Sequence, residues 1–353
     1  MTTRQEIGLL RLVAQRLLGP RPATATEVVR WLTALQAQDY PGALASVALR
    51  TTAGTRSTVE SALDHGEVVR TWPIRGTLHL LAAEDLSWIL GLTASRTLAR
   101  AAGRRAQLGL EPDTLERARE LTVEALAGGR RLCRDDLLGL WGGAGLATTG
   151  QRGYHLIWHL AQTATICFGP VRDGEQMIVL VDEWIPRPRR PERDEALGEL
   201  ALRYFRGHGP ATVADFTRWA NLLAADVRTG LALARPVLAR VEVDGVEYLM
   251  DPLTPDLLDA HRSAAGGVFL LPGFDEFVLG YRDRTAVLPA EFADHIVPGG
   301  NGVFRSTVVS DGQVVGTWAR SGRGANRSLV ATPFETFPAE VLDSLPTLHA
   351  AWP

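Results

Sequence analysis

Gln36 and Gln38 place two neutral side-chain amides one residue apart in the stretch LQAQDYPGALASVALR, residues 35 to 50. Each amide offers an acceptor oxygen and a donor nitrogen, so a pair on one side of an extended turn could hold a small ligand such as a water. In a continuing helix, residues two apart diverge, and the pair would only cap the helix and solvate the turn. The surrounding elements decide between these readings. Thr24 and Glu27 have the spacing of a capping box, and Val28, Leu32 and Leu35 follow with helical period, so a helix should begin near Ala25. Pro41 and Gly42 are expected to stop it. A second helix from Ala43 to about Arg50 follows so closely that the two resemble a helix-turn-helix, with the amides at the joint.

The next segment adds charge to that joint. Ser57 and Glu60 repeat the capping-box spacing, Gly66 should end the helix they start, and VVRTW, PIRG and TLHLL read as strand, turn and strand. Three helices and a hairpin make a winged helix. No acidic residue lies between Glu67 and Glu84, while Arg70, Arg75 and His79 lie on or beside the hairpin. Such a wing suits phosphate contacts or insertion in a groove. An arginine tying the hairpin to its own domain is the competing reading for Arg70 and Arg75.

LQAQDYPG, RTWPIRGTLHLL, GPATVADFTRWANL, LLPGFDEFVLGYRDR and VVGTWAR together span nearly the whole chain. In these segments it resembles the winged-helix family that includes the AlkZ and YcaQ DNA glycosylases. The resemblance implies an α+β fold of three tandem winged-helix modules in a C-shaped arrangement with a C-terminal β-rich region. It also implies monofunctional glycosylase activity on alkylated bases in double-stranded DNA. AlkZ-like members carry Gln, an apolar residue and a second Gln, as Gln36, Ala37 and Gln38 do; YcaQ-like members have an acid at the last position. Asp39 next door need not point into the same site. Relatives with the glutamine pair are associated with bulky adducts and interstrand crosslinks from genotoxic natural products, which implies self-resistance in a producing bacterium.

Neutral amides fit a particular chemistry. Alkylation at N7 makes a purine cationic and weakens its glycosidic bond, so the departing base needs little protonation. What remains is to position water and stabilise an oxocarbenium-like sugar, which two amides could do. A neutral base such as uracil would need stronger acid-base help. All 37 basic side chains are arginine, with no lysine anywhere. Arginine stays protonated and cannot attack C1′ as a lysine amine does, which leaves only the N-terminal amine, so a water-dependent enzyme with no Schiff base and no strand cleavage is expected. A GC-rich coding sequence would produce the same bias.

With 353 residues the chain can bury more than one core. Its net charge of −3 excludes a uniformly basic DNA-coating protein, so any DNA binding must be local. Residues 1–110 hold 13 Arg against 8 Asp plus Glu, and the remainder is acidic. Arg96, Arg100 and Arg104 recur every four residues and should form a positive helical stripe, either facing DNA or simply solvated. Helices near 113–127, from 134 and near 151–164, followed by TICFG and MIVLV, repeat the order of the first module. IPRPRRPER, residues 185–193, is a linker. Helices near 194–206, 211–220 and 223–234, with VLARVEV and VEYLM joined through Asp244 and Gly245, make a third. The expected segments are 1–110, 111–185, 186–265 and 266–353. In the last, alternating runs indicate strands, and Arg320, Arg323 and Arg327 surround a turn that either touches DNA backbone or is a solvated hairpin tip.

Other constellations are weaker. His155 and His159 have the spacing of a metal pair but no third ligand, and no cofactor or metal is expected. Asp275 and Glu276 in PGFDEF would face opposite ways on a strand and are expected to anchor Arg282 or Arg284, with a role near DNA left open by the resemblance. Cys133 and Cys167 form no CxxC motif. No signal peptide or apolar run of about 18 residues is present, so a cytoplasmic protein with no membrane partner is expected, and three modules in one chain suit a monomer. The reading from another class is a non-catalytic winged-helix transcriptional regulator, which would bind duplex DNA selectively and release no base.

Overall fold

The computed structural model of the protein describes residues 3–322 and 328–353. After α1 (Arg4–Ala14) comes a first helical group, α2 (Ala25–Leu32), α3 (Tyr40–Ala48) and α4 (Arg56–Asp64), closed by the hairpin β2 (Val68–Ile74) and β3 (Thr77–Ala82). The two-residue strand β1 (Leu35–Gln36) lies between α2 and α3. Helices α5 (Leu86–Arg100) and α6 (Ala102–Gln107) lead to a second group, α7 (Pro112–Leu126), α8 (Arg134–Gly143) and α9 (Arg152–Gln162), with hairpin β4 (Ile166–Arg172) and β5 (Glu175–Leu180). Beyond the short α10 (Val181–Trp184), a third group holds α11 (Arg193–His208), α12 (Val213–Ala220), α13 (Ala224–Ala234), β6 (Ala239–Val243) and β7 (Val246–Met250). The C-terminal part contains α14 (Thr254–Ala265), β8 (Val268–Leu271), α15 (Glu276–Leu279), α16 (Ala293–Ile296), β9 (Thr307–Ser310), β10 (Gln313–Ser321), β11 (Ser328–Pro333) and α17 (Ala339–Ala350). The fold is α+β, and its named strands pair antiparallel.

Local signals explain the site-bearing elements. The Thr24 hydroxyl accepts from the Glu27 amide while the Glu27 carboxylate accepts from the Thr24 amide, completing the capping box. The helix ends at Leu32, sooner than Pro41 would impose, because Thr33 turns to φ 69°. Pro41 instead lies in the first turn of α3, where its missing N–H costs nothing. The segment between is therefore extended rather than a helical joint. At the tip of β2–β3, Arg75 and Gly76 both take positive φ, 55° and 71°, the pattern of a type I′ turn. Pro73 sits where the β2–β3 register slips between Thr71 and Ile74, a bulge that tolerates a residue without an N–H.

The first two hairpins join. The sheet order is β1-β3-β2-β4-β5, with Arg70 of β2 opposite Phe168 of β4. Residues of α1, counted with the first segment on sequence, share a core with Leu258, Phe277 and Val309. Another core packs Ile89 of α5 with Leu200, Tyr204, Phe205, Phe216 and Trp219 of α11 and α12. The elements after β3 thus carry α12 and α15 against the segment that holds the glutamines.

Candidate functional site

β1 is the edge strand of the five-stranded sheet, with Leu35 opposite Leu80 and Gln36 opposite His79. The Ala37 amide continues the ladder by donating to the Leu78 carbonyl at 2.7 Å. Residues two apart on an extended chain share a side, so Gln36 and Gln38 face together. Gln36 Nε2 donates to Gln38 Oε1 at 2.5 Å, and the Gln38 backbone amide donates to Gln36 Oε1 at 3.0 Å. Gln36 is buried and Gln38 exposed. The pair is cross-braced with one end in solvent.

Both amides line a cleft of about 310 Å³ with Arg75, Arg218, Trp219, Arg284 and Phe304. Among the described residues no carboxylate lines it, and Asp39 is not part of its wall. Arg75 donates to the Trp219 carbonyl at 2.5 Å, and Arg284 donates to the Val278 carbonyl at 3.0 Å with its guanidinium 4.9 Å from the centre of the Phe304 ring. Burial pulls the Arg75 guanidinium below its ordinary range; Glu276 pulls the other way, and the charge of Arg218 adds to the lowering. Burial and then Arg218 lower Arg284 likewise. These mutual effects mark a cluster of like charges. The cleft runs on, through Arg218, Arg284, Gly302 and Phe304, into a more open space of about 680 Å³ whose walls also hold Asp283, Glu291 and Asp294.

Behind the cleft, Asp275 and Glu276 point in different directions, but neither binds Arg282 or Arg284 by an ion pair among the described residues. Asp275 takes Arg50 through both oxygens, at 2.8 and 2.9 Å, accepts from Ser46 Oγ at 2.7 Å, and caps α15 through the Phe277 amide. Glu276 Oε1 accepts from the Gln36 backbone amide at 3.2 Å. Its Oε2 is 3.2 Å from both His208 Nε2 and Trp219 Nε1. Burial opposes the charge of Glu276, but its hydrogen bond to His208 and the charges of His208 and Arg75 outweigh that and hold the carboxyl below its usual range.

The structure brings together only some of the expected DNA contacts. Arg75 reaches the cleft. Arg70 is turned sideways, donating to the Ala37 carbonyl at 2.9 Å and to Gln176 Oε1 at 2.7 Å, so it braces the carbonyl between the two glutamines. Burial lowers its guanidinium to about 10. His79 is fully enclosed, opposite Gln36, with Nδ1 2.8 Å from the Thr77 carbonyl, and no phosphate reaches it there. Burial, then the charge of Arg75, depresses it to about 4, so it is neutral near pH 7. Arg96 donates to the carbonyls of Asn221 and Leu222 at 3.1 and 2.8 Å, and Arg100 to Asn221 Oδ1 at 3.1 Å. Arg96 thus caps the C-terminal end of α12, where unpaired carbonyls attract cations, while Arg100 is exposed and holds only the Asn221 side chain. Arg320 lies on β10 in the other large sheet, 5.6 Å from the Trp352 ring, and is not part of the cleft wall. Arg323 and Arg327 lie outside the described residues.

His208, Arg218 and Arg284 carried no site signal in the sequence, and Glu276 carried only an open role near DNA. They come from segments about 170 or more positions beyond the glutamines, and no local spacing links them. Cys133 and Cys167 are both free thiols. Among the described residues no group of three or more potential metal ligands assembles, and no helix is long and apolar enough to cross a membrane.

Comparison with known proteins follows the same outline. The family described as DNA glycosylase AlkZ-like matches residues 29–351. An interstrand DNA cross-link repair glycosylase of Streptomyces sahachiroi is 28% identical over 345 residues, covering 93% of this chain and 91% of the relative. The solved structure of Streptomyces sahachiroi DNA glycosylase AlkZ superimposes with a TM-score of 0.80 at 26% identity, over 99% of this chain and 95% of that one.

Proposed function

Because the chain belongs to the AlkZ-like DNA glycosylase family and is therefore a hydrolase of N-glycosyl bonds, we propose that it releases N7-alkylated purines from double-stranded DNA, with Gln36 and Gln38 positioning the water. The observation that carries this reading is a cross-braced amide pair in a cleft whose described walls hold arginine but no carboxylate. Each amide oxygen uses one lone pair inside the brace and keeps another for a water proton. A water held by both is aimed rather than deprotonated, which suffices when the leaving base is already cationic. With no lysine, and only the N-terminal amine as an alternative nucleophile, the reading has water attack and leave an abasic site without a Schiff base.

Arginines do not suit a cationic base as direct neighbours. Arg75, Arg218 and Arg284 suit the phosphates flanking an extruded nucleotide, and they replace the outward-facing stripe that spacing suggested for Arg96 and Arg100. The relative's name refers to interstrand crosslinks, and the continuity of the cleft with the larger space supports substrates with bulky substituents, crosslinked bases included. The test incubates DNA carrying 7-methylguanine, and separately an N7-linked crosslink, with the wild type and with the double variant Gln36→Ala, Gln38→Ala. Free base released by the wild type alone is the expected result; equal release by both removes the glutamines from the mechanism.

A further inference from the structure

We propose that Glu276 is a positioning residue for Gln36, holding the outer edge of β1 so that the amide pair faces the cleft in one fixed orientation. The inference rests on the water-positioning reading of Gln36 and Gln38. Its basis is the edge of the sheet. The amide of Ala37 points inward to Leu78, so the neighbouring amide of Gln36 must point outward, where an edge strand has no partner strand. There it meets Glu276 Oε1 at 3.2 Å, in a place closed to water, with Gln36 5% and Glu276 1% exposed.

The carboxylate is itself held from the far side. Trp219 Nε1 and His208 Nε2 lie within hydrogen-bond distance of its other oxygen, so donors from β1, α11 and α12 converge on one group. Among the described residues no arginine lies within ion-pair distance of it, whereas Asp275 beside it is saturated by Arg50. A buried carboxylate without a guanidinium partner is costly, and a purely architectural acid would be better served by the arrangement at Asp275. Glu276 spends its oxygens on the backbone of the candidate water-positioning residue and on Trp219, which lines the same cleft. A glutamine in its place has one acceptor oxygen, and its NH2 would confront either the Gln36 amide or the Trp219 indole N–H.

The experiment pairs two readouts on Glu276→Gln, Trp219→Phe and the wild type. The first is hydrogen exchange of the peptide spanning residues 34–39; the second is single-turnover release of 7-methylguanine at saturating enzyme, with affinity measured separately on DNA carrying a non-cleavable abasic analogue. For Glu276→Gln, exchange at the Gln36 amide should accelerate and base release should fall about tenfold or more, while affinity for the analogue stays within about twofold. Trp219→Phe removes one of the two donors on the far oxygen and should give a smaller loss in both readouts, which keeps the inference testable if Glu276→Gln does not fold. Unchanged base release by Glu276→Gln, or a loss matched by equal loss of affinity and of melting temperature, overturns it. If the wild type releases no base, the water-positioning reading fails instead, and unaltered exchange at Gln36 in the variants would separately show that Glu276 does not hold the strand.

Discussion

The two sides of β1 are chemically opposite. On the open side, Gln36 and Gln38 present uncharged amides to a solvent-accessible cleft; on the closed side, beyond the outer edge of the strand, Glu276 and His208 are dry, and His79, paired with Gln36 across the inner edge, is enclosed as well. The difference teaches where charge is tolerated. On the proposed reading, a carboxylate in place of either amide would draw a proton from the water instead of only aiming it. The same charge behind the strand is fixed by convergent N–H donors and touches the open side only through the Gln36 backbone amide and the Trp219 indole N–H. The uncharged amide pair and its ionisable backing are parts of one arrangement.

The most severe break of this comparison strikes the open side. Replacing both glutamines with alanine should lower single-turnover base release by about 10² or more, the scale of lost positioning, while DNA affinity changes little. Equal loss of affinity would mean that the amides grip DNA instead of serving the reaction. The closed side should answer in stability. Arg50→Ala strands Asp275 as a buried, unpaired acid and should cost about 3–5 kcal/mol in urea unfolding, with base release per folded molecule largely kept.

Acid provides a milder probe of the closed side. His79 has its folded value depressed from 6.5 to about 4, so the unfolded chain takes up the proton first. Its contribution is complete above pH 6.5 and is lost as pH falls toward 4, about 3 kcal/mol at about 1.4 kcal/mol per unit. Glu276, also depressed, adds a further loss below its ordinary 4.5. Melting temperature followed from pH 7.5 to 4 should therefore fall for the wild type and less steeply for His79→Gln; parallel curves would show that His79 does not carry the loss. The smallest effects belong to the cleft arginines. Arg218→Ala and Arg284→Ala should each reduce the salt dependence of DNA affinity by about one phosphate contact, and Arg96→Ala should leave that slope unchanged. A reduced slope for Arg96→Ala would return the helical stripe to the DNA interface.

What could be read from sequence was local. The capping box at Thr24 and the turn at Arg75 and Gly76 act within a few residues and yield a helix and a hairpin, whereas the shared side of the amides depended on the Thr33 break that no spacing announced. Pro41 misled because a proline marks a helix start as readily as a stop. His79 and Arg96 misled for another reason: charge and periodicity do not say which face of an element another element will cover. Only the packing of α12 and α15 against β1 and α5 turns those side chains inward, and it also supplies Arg218 and Glu276 to the site. Such contacts join residues with no sequence relation to Gln36.

Arg70 has a mechanical meaning. It sits at the junction where β2 meets β4, and its guanidinium bridges Gln176 on the second hairpin to the carbonyl of Ala37. A planar, rigid fork set across that seam acts as a tie rod. Displacement of the second hairpin relative to the first would be carried along it to the peptide between Gln36 and Gln38, whose side chains brace each other.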